Sequence, residues 1–242
     1  MKRKGRCADE SICLFLKNVM KLFETILNLL FPPKCPFCGK VQDTMGICPK
    51  CEKELPVIPE AEVLREGPGG LRCAGAVWYE ETVRDALLRL KFQGASEIAE
   101  PLGELLARCA AEQFGGEFDT VTWVPVSRKR LRKRGYDQAE LLARSACRHW
   151  DTQPVRLLEK TVDNPPQSGI HDAAARRANV LGVYRVVGDA TGKQILLIDD
   201  ICTSGVTLTE CIRVLEEAGA ERVVCGTVAL TRRENVHKTS TE

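Results

Sequence analysis

The chain has 242 residues, 44% hydrophobic and 28% charged, with 35 basic against 33 acidic side chains and a net charge of +2. That composition excludes a disordered or fibrous chain and leaves room for one substantial core with a small appendage. The near-neutral balance argues for no polyanionic partner; only local clustering of cations can do that.

Residues 12–31, ICLFLKNVMKLFETILNLLF, form the most apolar stretch, but Lys17, Lys21 and Glu24 interrupt it. No uncharged run reaches the roughly 18 residues that a membrane span requires. Leu16, Val19, Phe23, Ile26, Leu27 and Leu30 fall mostly on one side, predicting an amphipathic helix. Packing on protein is one use for that face, and association with a membrane surface is the other. Pro32 and Pro33 end the helix.

The next motif is CPFCGKVQDTMGICPKC, with Cys35-x2-Cys38 and Cys48-x2-Cys51. Two such knuckles bring four thiolates into the tetrahedral arrangement that structural zinc favours. No position is left for a catalytic water; an iron–sulfur cluster or a redox pair is the alternative. Twelve cysteines occur in all, the other eight scattered singly. With no secretory leader pattern ahead of them, they fit buried thiols in a reducing cytoplasm better than a disulfide framework. Residues 56–70, with three prolines and three glycines, read as a linker.

Beyond it, strand and helix patterns alternate. A strand is predicted over 74–79, helices over 82–92 (with Lys91 at its end) and 97–113, and a strong strand over 118–126. RKRLRKR, residues 128–134, then places six cations in seven positions. A solvated charge run is the plain interpretation. Its place after a strand's carboxyl end favours a polyanion, either a diphosphate or a nucleic-acid backbone. A helix over 136–150 and a strand over 155–158 follow. Pro165 and Pro166 then open a segment suited to an active-site flap. This alternation predicts an α/β, doubly wound, mostly parallel sheet.

Residues 194–220 carry the most chemistry. Ile195, Leu196, Leu197 and Ile198 make a buried strand, Asp199 and Asp200 follow, then a turn of Thr203, Ser204, Gly205, Val206 and Thr207, then a helix. Free N–H groups of the turn and the positive helix end can converge on a phosphate. The two carboxylates suit vicinal hydroxyls beside it, so a sugar phosphate fits both halves.

ILLIDDICTSGVT resembles the thirteen-residue phosphoribosyl diphosphate signature of type I phosphoribosyltransferases. Together with LLFPPKCPFCG, YEETVRDALLRLKFQG, VPVSRKRLRKRGYDQAELLA and PPQSG…RRANV, it resembles the ComF family of competence-associated proteins. The resemblance implies that Asp199 and Asp200 bind ribose hydroxyls and are the catalytic carboxylates, and that residues 203–207 bind the 5-phosphate. It further implies Val126, Ser127 and Arg128 as the diphosphate-binding turn, with Lys91 and Arg176 as additional ligands. Gln167, Arg176 and Asn179 match the family's flap, although the spacing from Gln167 to Arg176 is one residue longer than expected. RGYDQ replaces the common RGFNQ, a change that alters charge near the ligand.

The division implied is an amphipathic helix in 1–31, a zinc ribbon in 32–56, a linker in 57–71, a phosphoribosyltransferase domain in 72–235 and a tail in 236–242. The implied cofactors are structural zinc, and magnesium with phosphoribosyl diphosphate. The implied partners are single-stranded DNA and DNA-uptake proteins. Either a pentosyl-transferring enzyme or a non-catalytic sensor or DNA-handling protein is consistent with this pattern. Aromatic residues are only 5%, so no base-stacking platform is evident.

Overall fold

The computed structural model describes residues 32–44, 46–164 and 178–232. The expected helix over 12–31, the flap residues Gln167 and Arg176, and the tail lie outside them. Among the described residues no helix is long and apolar enough to cross a membrane.

The elements in chain order are α1 (Pro49–Glu54), β1 (Leu64–Gly67), β2 (Leu71–Trp78), α2 (Glu81–Phe92), α3 (Ala99–Phe114) and β3 (Thr120–Trp123). They continue with α4 (Arg128–Arg134), α5 (Gln138–His149), β4 (Leu158–Lys160), β5 (Tyr184–Val186), β6 (Gln194–Cys202), α6 (Val206–Glu217) and β7 (Arg222–Leu230). Five strands form one sheet in the order β1-β2-β7-β6-β3, with β1 antiparallel and all other pairs parallel. This is the mostly parallel, doubly wound α/β sheet of the type I phosphoribosyltransferase fold. β6 and β7 read as continuous apolar runs because helices bury both faces of a parallel sheet.

Two stretches depart from the sequence reading. Residues 56–70 were expected to be a linker, yet β1 pairs with β2 from Leu64↔Ala74 to Gly67↔Leu71, and Val57 bridges to Val77. Four residues at a sheet edge tolerate flanking prolines and glycines, and order comes from the partner strand rather than from local propensity. The strand expected over 155–158 is displaced to Leu158–Lys160 and pairs with β5 in a separate two-stranded sheet. Val155 still donates to the Val121 carbonyl at 2.8 Å, so the small sheet hangs from the edge at β3. The strand expected over 118–126 is shorter, ending at Trp123 ahead of Pro125.

Candidate functional site

The site is built at the carboxyl ends of β6 and β3, where parallel α/β sheets leave a crevice. Successive β6 side chains point to opposite faces, so Asp199 and Asp200 face different surroundings. Asp200 is buried, 4% exposed, and its Oδ2 is ion-paired with Lys91 Nζ at the end of α2. Both carboxylates stand at the strand end as the sequence suggests, but Asp200 is turned into a buried ion pair with Lys91. Burial works to lower the Lys91 ammonium, but the charges of Asp200 and Asp199 outweigh it and hold it above its ordinary value. Lys91, proposed as a diphosphate ligand, is thus joined to the acidic pair.

Asp199 is half-buried, and its Oδ1 accepts from the Asp200 N–H at 2.9 Å. Burial first, and the Asp200 charge second, push its carboxyl well above the ordinary range. Its field reaches Lys160 on β4 and Tyr184 on β5. The Lys160 ammonium is 5.4 Å from the Tyr184 ring and is lowered to about 8 by burial and then by Arg130. Lys160 escaped the sequence reading because a single lysine in a three-residue strand carries no pattern.

β6 hands over to α6 through an exposed turn at Thr203 and Ser204. Gly205 caps α6 in the left-handed region at φ 76°, and a Cβ there would stand 2.4 Å from Leu71 Cδ2. The first N–H groups of α6 have no partner within the helix, as at every helix start. Gly205→Ala is expected to cost about 1–2 kcal/mol from the left-handed backbone and overpacking. Denaturant unfolding checks the figure, and an unchanged midpoint contradicts it.

Val126, Ser127 and Arg128 form the turn between β3 and α4. Ser127 Oγ caps α4 by accepting from Arg130 N at 3.2 Å, and it donates to Asp163. Arg128 reaches Glu159 at 3.4 Å. Asp137, the departure within RGYDQ, does not put charge toward a ligand. Its carboxylate accepts from the N–H of Val126 at 2.8 Å and of Ala139 at 3.0 Å, bracing the turn while capping α5. Burial raises its pKa to about 6 against those hydrogen bonds. An aspartate before an apolar helical repeat is a capping signal that the sequence did offer.

The basic run is a helix with divided loyalties. Arg130 donates to the Asn164 carbonyl at 2.6 Å and lies 3.7 Å from Asp163, Lys129 lies 3.5 Å from Asp163, and Arg134 sits over the Phe92 ring. Arg132 and Lys133 are exposed, with no ion pair among the described residues. A cleft of about 380 Å³ opens between Ser127, Arg128 and Lys129 on one side and Glu159, Lys160 and Arg185 on the other. It lies beside the turn after β3, not over residues 203–207.

The four cysteines of the knuckles converge, with all Sγ atoms within 4.8 Å of one another. The Cys38–Cys48 separation of 3.7 Å matches the edge of about 3.8 Å that four zinc–sulfur bonds of 2.3 Å impose on a tetrahedron. Cys35 is buried, which raises its thiol pKa, but N–H donors from Cys38, Cys48 and Phe37 overcome this and hold it at about 6. The donor set therefore fits zinc. The ribbon docks on α2, where Arg89 donates to the carbonyls of Pro36 and Phe37.

Residues 131–241 match the family described as phosphoribosyl transferase domain, and residues 26–63 match the double zinc ribbon domain. The competence protein ComFC of Bacillus subtilis (strain 168) is 26% identical, over 87% of this chain and 80% of its own. ComFC of Streptococcus pneumoniae (strain ATCC BAA-255 / R6) is 29% identical, over 87% of this chain and 96% of its own. The DNA utilization protein YhgH of Escherichia coli (strain K12) is 27% identical, over 78% of this chain and 86% of its own. The paired cysteine knuckles and the phosphoribosyltransferase fold stand in the same order as those two matches, and over most of its length the chain is similar to the ComFC and YhgH proteins.

Proposed function

We propose that the chain binds phosphoribosyl diphosphate with magnesium and serves DNA uptake in the cytoplasm. The observation that carries this is the juxtaposition at the end of β6, where an acidic pair runs into a turn that opens a helix. In this reading residues 203–207 hold the 5-phosphate through N–H groups and the helix dipole, and Asp199 accepts from the ribose hydroxyls. Asp200, neutralised by Lys91, fixes the strand end beneath the sugar. The leaving diphosphate lies toward the turn of Val126, Ser127 and Arg128, with Arg130 and Lys160 supplying cations.

Displacement of diphosphate from ribose C1 passes through an oxocarbenium-like state, which a nearby carboxylate stabilises. Magnesium fits as an ion carried by the ligand. Among the described residues only the cysteine knuckles converge as a group of three or more metal donors, while magnesium commonly uses one or two carboxylates plus phosphates. When bound, it shields the charge on the leaving group. No side chain stands out as base for an incoming nucleophile. Incubation with phosphoribosyl diphosphate, magnesium and a panel of nucleobases and amines as acceptors bears on the two classes: acceptor-dependent diphosphate release marks a transferase, and binding without release across the panel favours a sensor.

A role in handling single-stranded DNA is favoured by the exposed Arg132 and Lys133. Each phosphate neutralised on a single strand contributes about −0.7 to the log–log salt slope. Replacing Arg130, Arg132 and Lys133 by alanine is expected to flatten the slope by at most about two units and to weaken all sequences alike. Phosphoribosyl diphosphate with magnesium displaces the strand if the sites overlap. Fluorescence anisotropy against salt reads both effects. An unchanged slope returns the run to a solvated surface, and a flatter slope without competition puts DNA on another face.

A further inference from the structure

Arg65 lies in the stretch whose composition reads as a linker, yet it is only 8% exposed. Its guanidinium donates to three carbonyl oxygens: Cys202 at 3.0 Å, Thr203 at 2.6 Å, and Thr231. The first two lead directly into the turn of residues 203–207, and the third follows the end of β7. Arg65 thus ties together the two strand ends from which that turn springs. Leu71, at the other end of the β1–β2 hairpin, packs against Gly205 of the same turn.

The charge of Arg65 is unusual in its setting. A buried cation is costly unless paired, and two arginines beside the turn after β3 do have a carboxylate: Arg128 has Glu159 and Arg130 has Asp163. Among the described residues Arg65 has no ion-pair partner. Neutral carbonyls satisfy its donors but leave its charge uncompensated. The turn above it presents N–H groups and a positive helix end, so an anion seated in that turn would also answer the guanidinium.

We propose that Arg65 is a positioning residue of the phosphate turn, and that the bound phosphate is the counter-charge the guanidinium lacks. The inference rests on the reading that residues 203–207 hold the 5-phosphate. It makes the segment joining ribbon and main domain a working part of that site. Arginine suits the task because one arm of its fork serves the successive carbonyls of Cys202 and Thr203 while the other reaches Thr231, whereas lysine offers one compact charge.

The test uses the full-length, zinc-loaded protein and ribose 5-phosphate, titrated by calorimetry at pH 5.5 and pH 7.5. Between those values the phosphate, with a second pKa of about 6, becomes a dianion. Wild type is expected to bind more tightly at the higher pH. Arg65→Met is expected to bind about tenfold more weakly at pH 7.5 and to lose most of the gain with pH, since a buried charge facing the dianion is gone. Arg65→Lys is expected to keep the gain with pH while losing affinity, and it decides the matter if the methionine variant does not fold. A folded methionine variant with wild-type affinity, or one that is weaker but keeps the full gain with pH, overturns the proposal. So does a lysine variant that behaves as wild type in affinity. Failure of wild type to bind ribose 5-phosphate at either pH removes the phosphate-turn reading itself.

Discussion

Asp199→Asn is expected to abolish binding of phosphoribosyl diphosphate while leaving the ligand-free protein at least as stable as wild type. Asp199 is half-buried beside Asp200, and burial and that like charge both oppose its ionisation. Its folded pKa is raised, so the folded state becomes costlier as pH rises from the ordinary carboxylate range through that raised value. Asparagine removes this cost at neutral pH but also replaces one acceptor oxygen with a donor amide and removes the negative charge, so a pair of ribose hydroxyls is no longer matched. Wild type should gain about 2.7 kcal/mol from ligand at a hundredfold its dissociation constant, and the variant nothing. Asp200→Asn differs because it strands the Lys91 ammonium in a buried setting, at a cost of about 3 kcal/mol. Denaturant unfolding with and without ligand separates the two. A full ligand shift in the Asp199 variant, or undiminished stability in the Asp200 variant, contradicts these assignments.

The second large effect concerns the ribbon. Cys48→Ser is expected to lose the one zinc held per chain and to expose residues 32–56 to protease, while the main domain stays folded. Cys202 and Cys211 lie in β6 and α6, outside the knuckles, and their replacement should leave metal content unchanged. The consequence should reach further than the ribbon. Arg89 holds the carbonyls of Pro36 and Phe37, and Lys91, two residues on in the same turn of α2, holds Asp200. Freeing one end of that turn should weaken phosphoribosyl diphosphate by about fivefold, the low end of ordinary coupling between sites. Metal analysis and calorimetry on the same sample read both. Zinc loss with unchanged affinity makes the ribbon an independent unit.

The parts legible in sequence were those whose cause is local. Residues 194–207 announce a strand, an acidic pair, a turn and a helix in unbroken order, and the structure keeps that order. The cysteine knuckles are equally self-contained. What was missed depends on partners far along the chain. Asp200 is buried because Lys91, more than a hundred residues earlier, meets its charge. Arg65 sits among glycines and prolines whose composition says linker, and only the pairing of β1 with β2 brings it under the turn. Asp137 read as a charge near the ligand because the N–H groups it serves, at Val126 and Ala139, become neighbours only once β3 turns into α4.

The central claim is that the end of β6 is a site for phosphoribosyl diphosphate. It is tested most directly by titration calorimetry of the zinc-loaded protein with that ligand, with and without magnesium, beside Asp199→Asn. The account predicts one magnesium-dependent site per chain in wild type and none in the variant. No binding by wild type, or equal affinity in the two proteins, contradicts it.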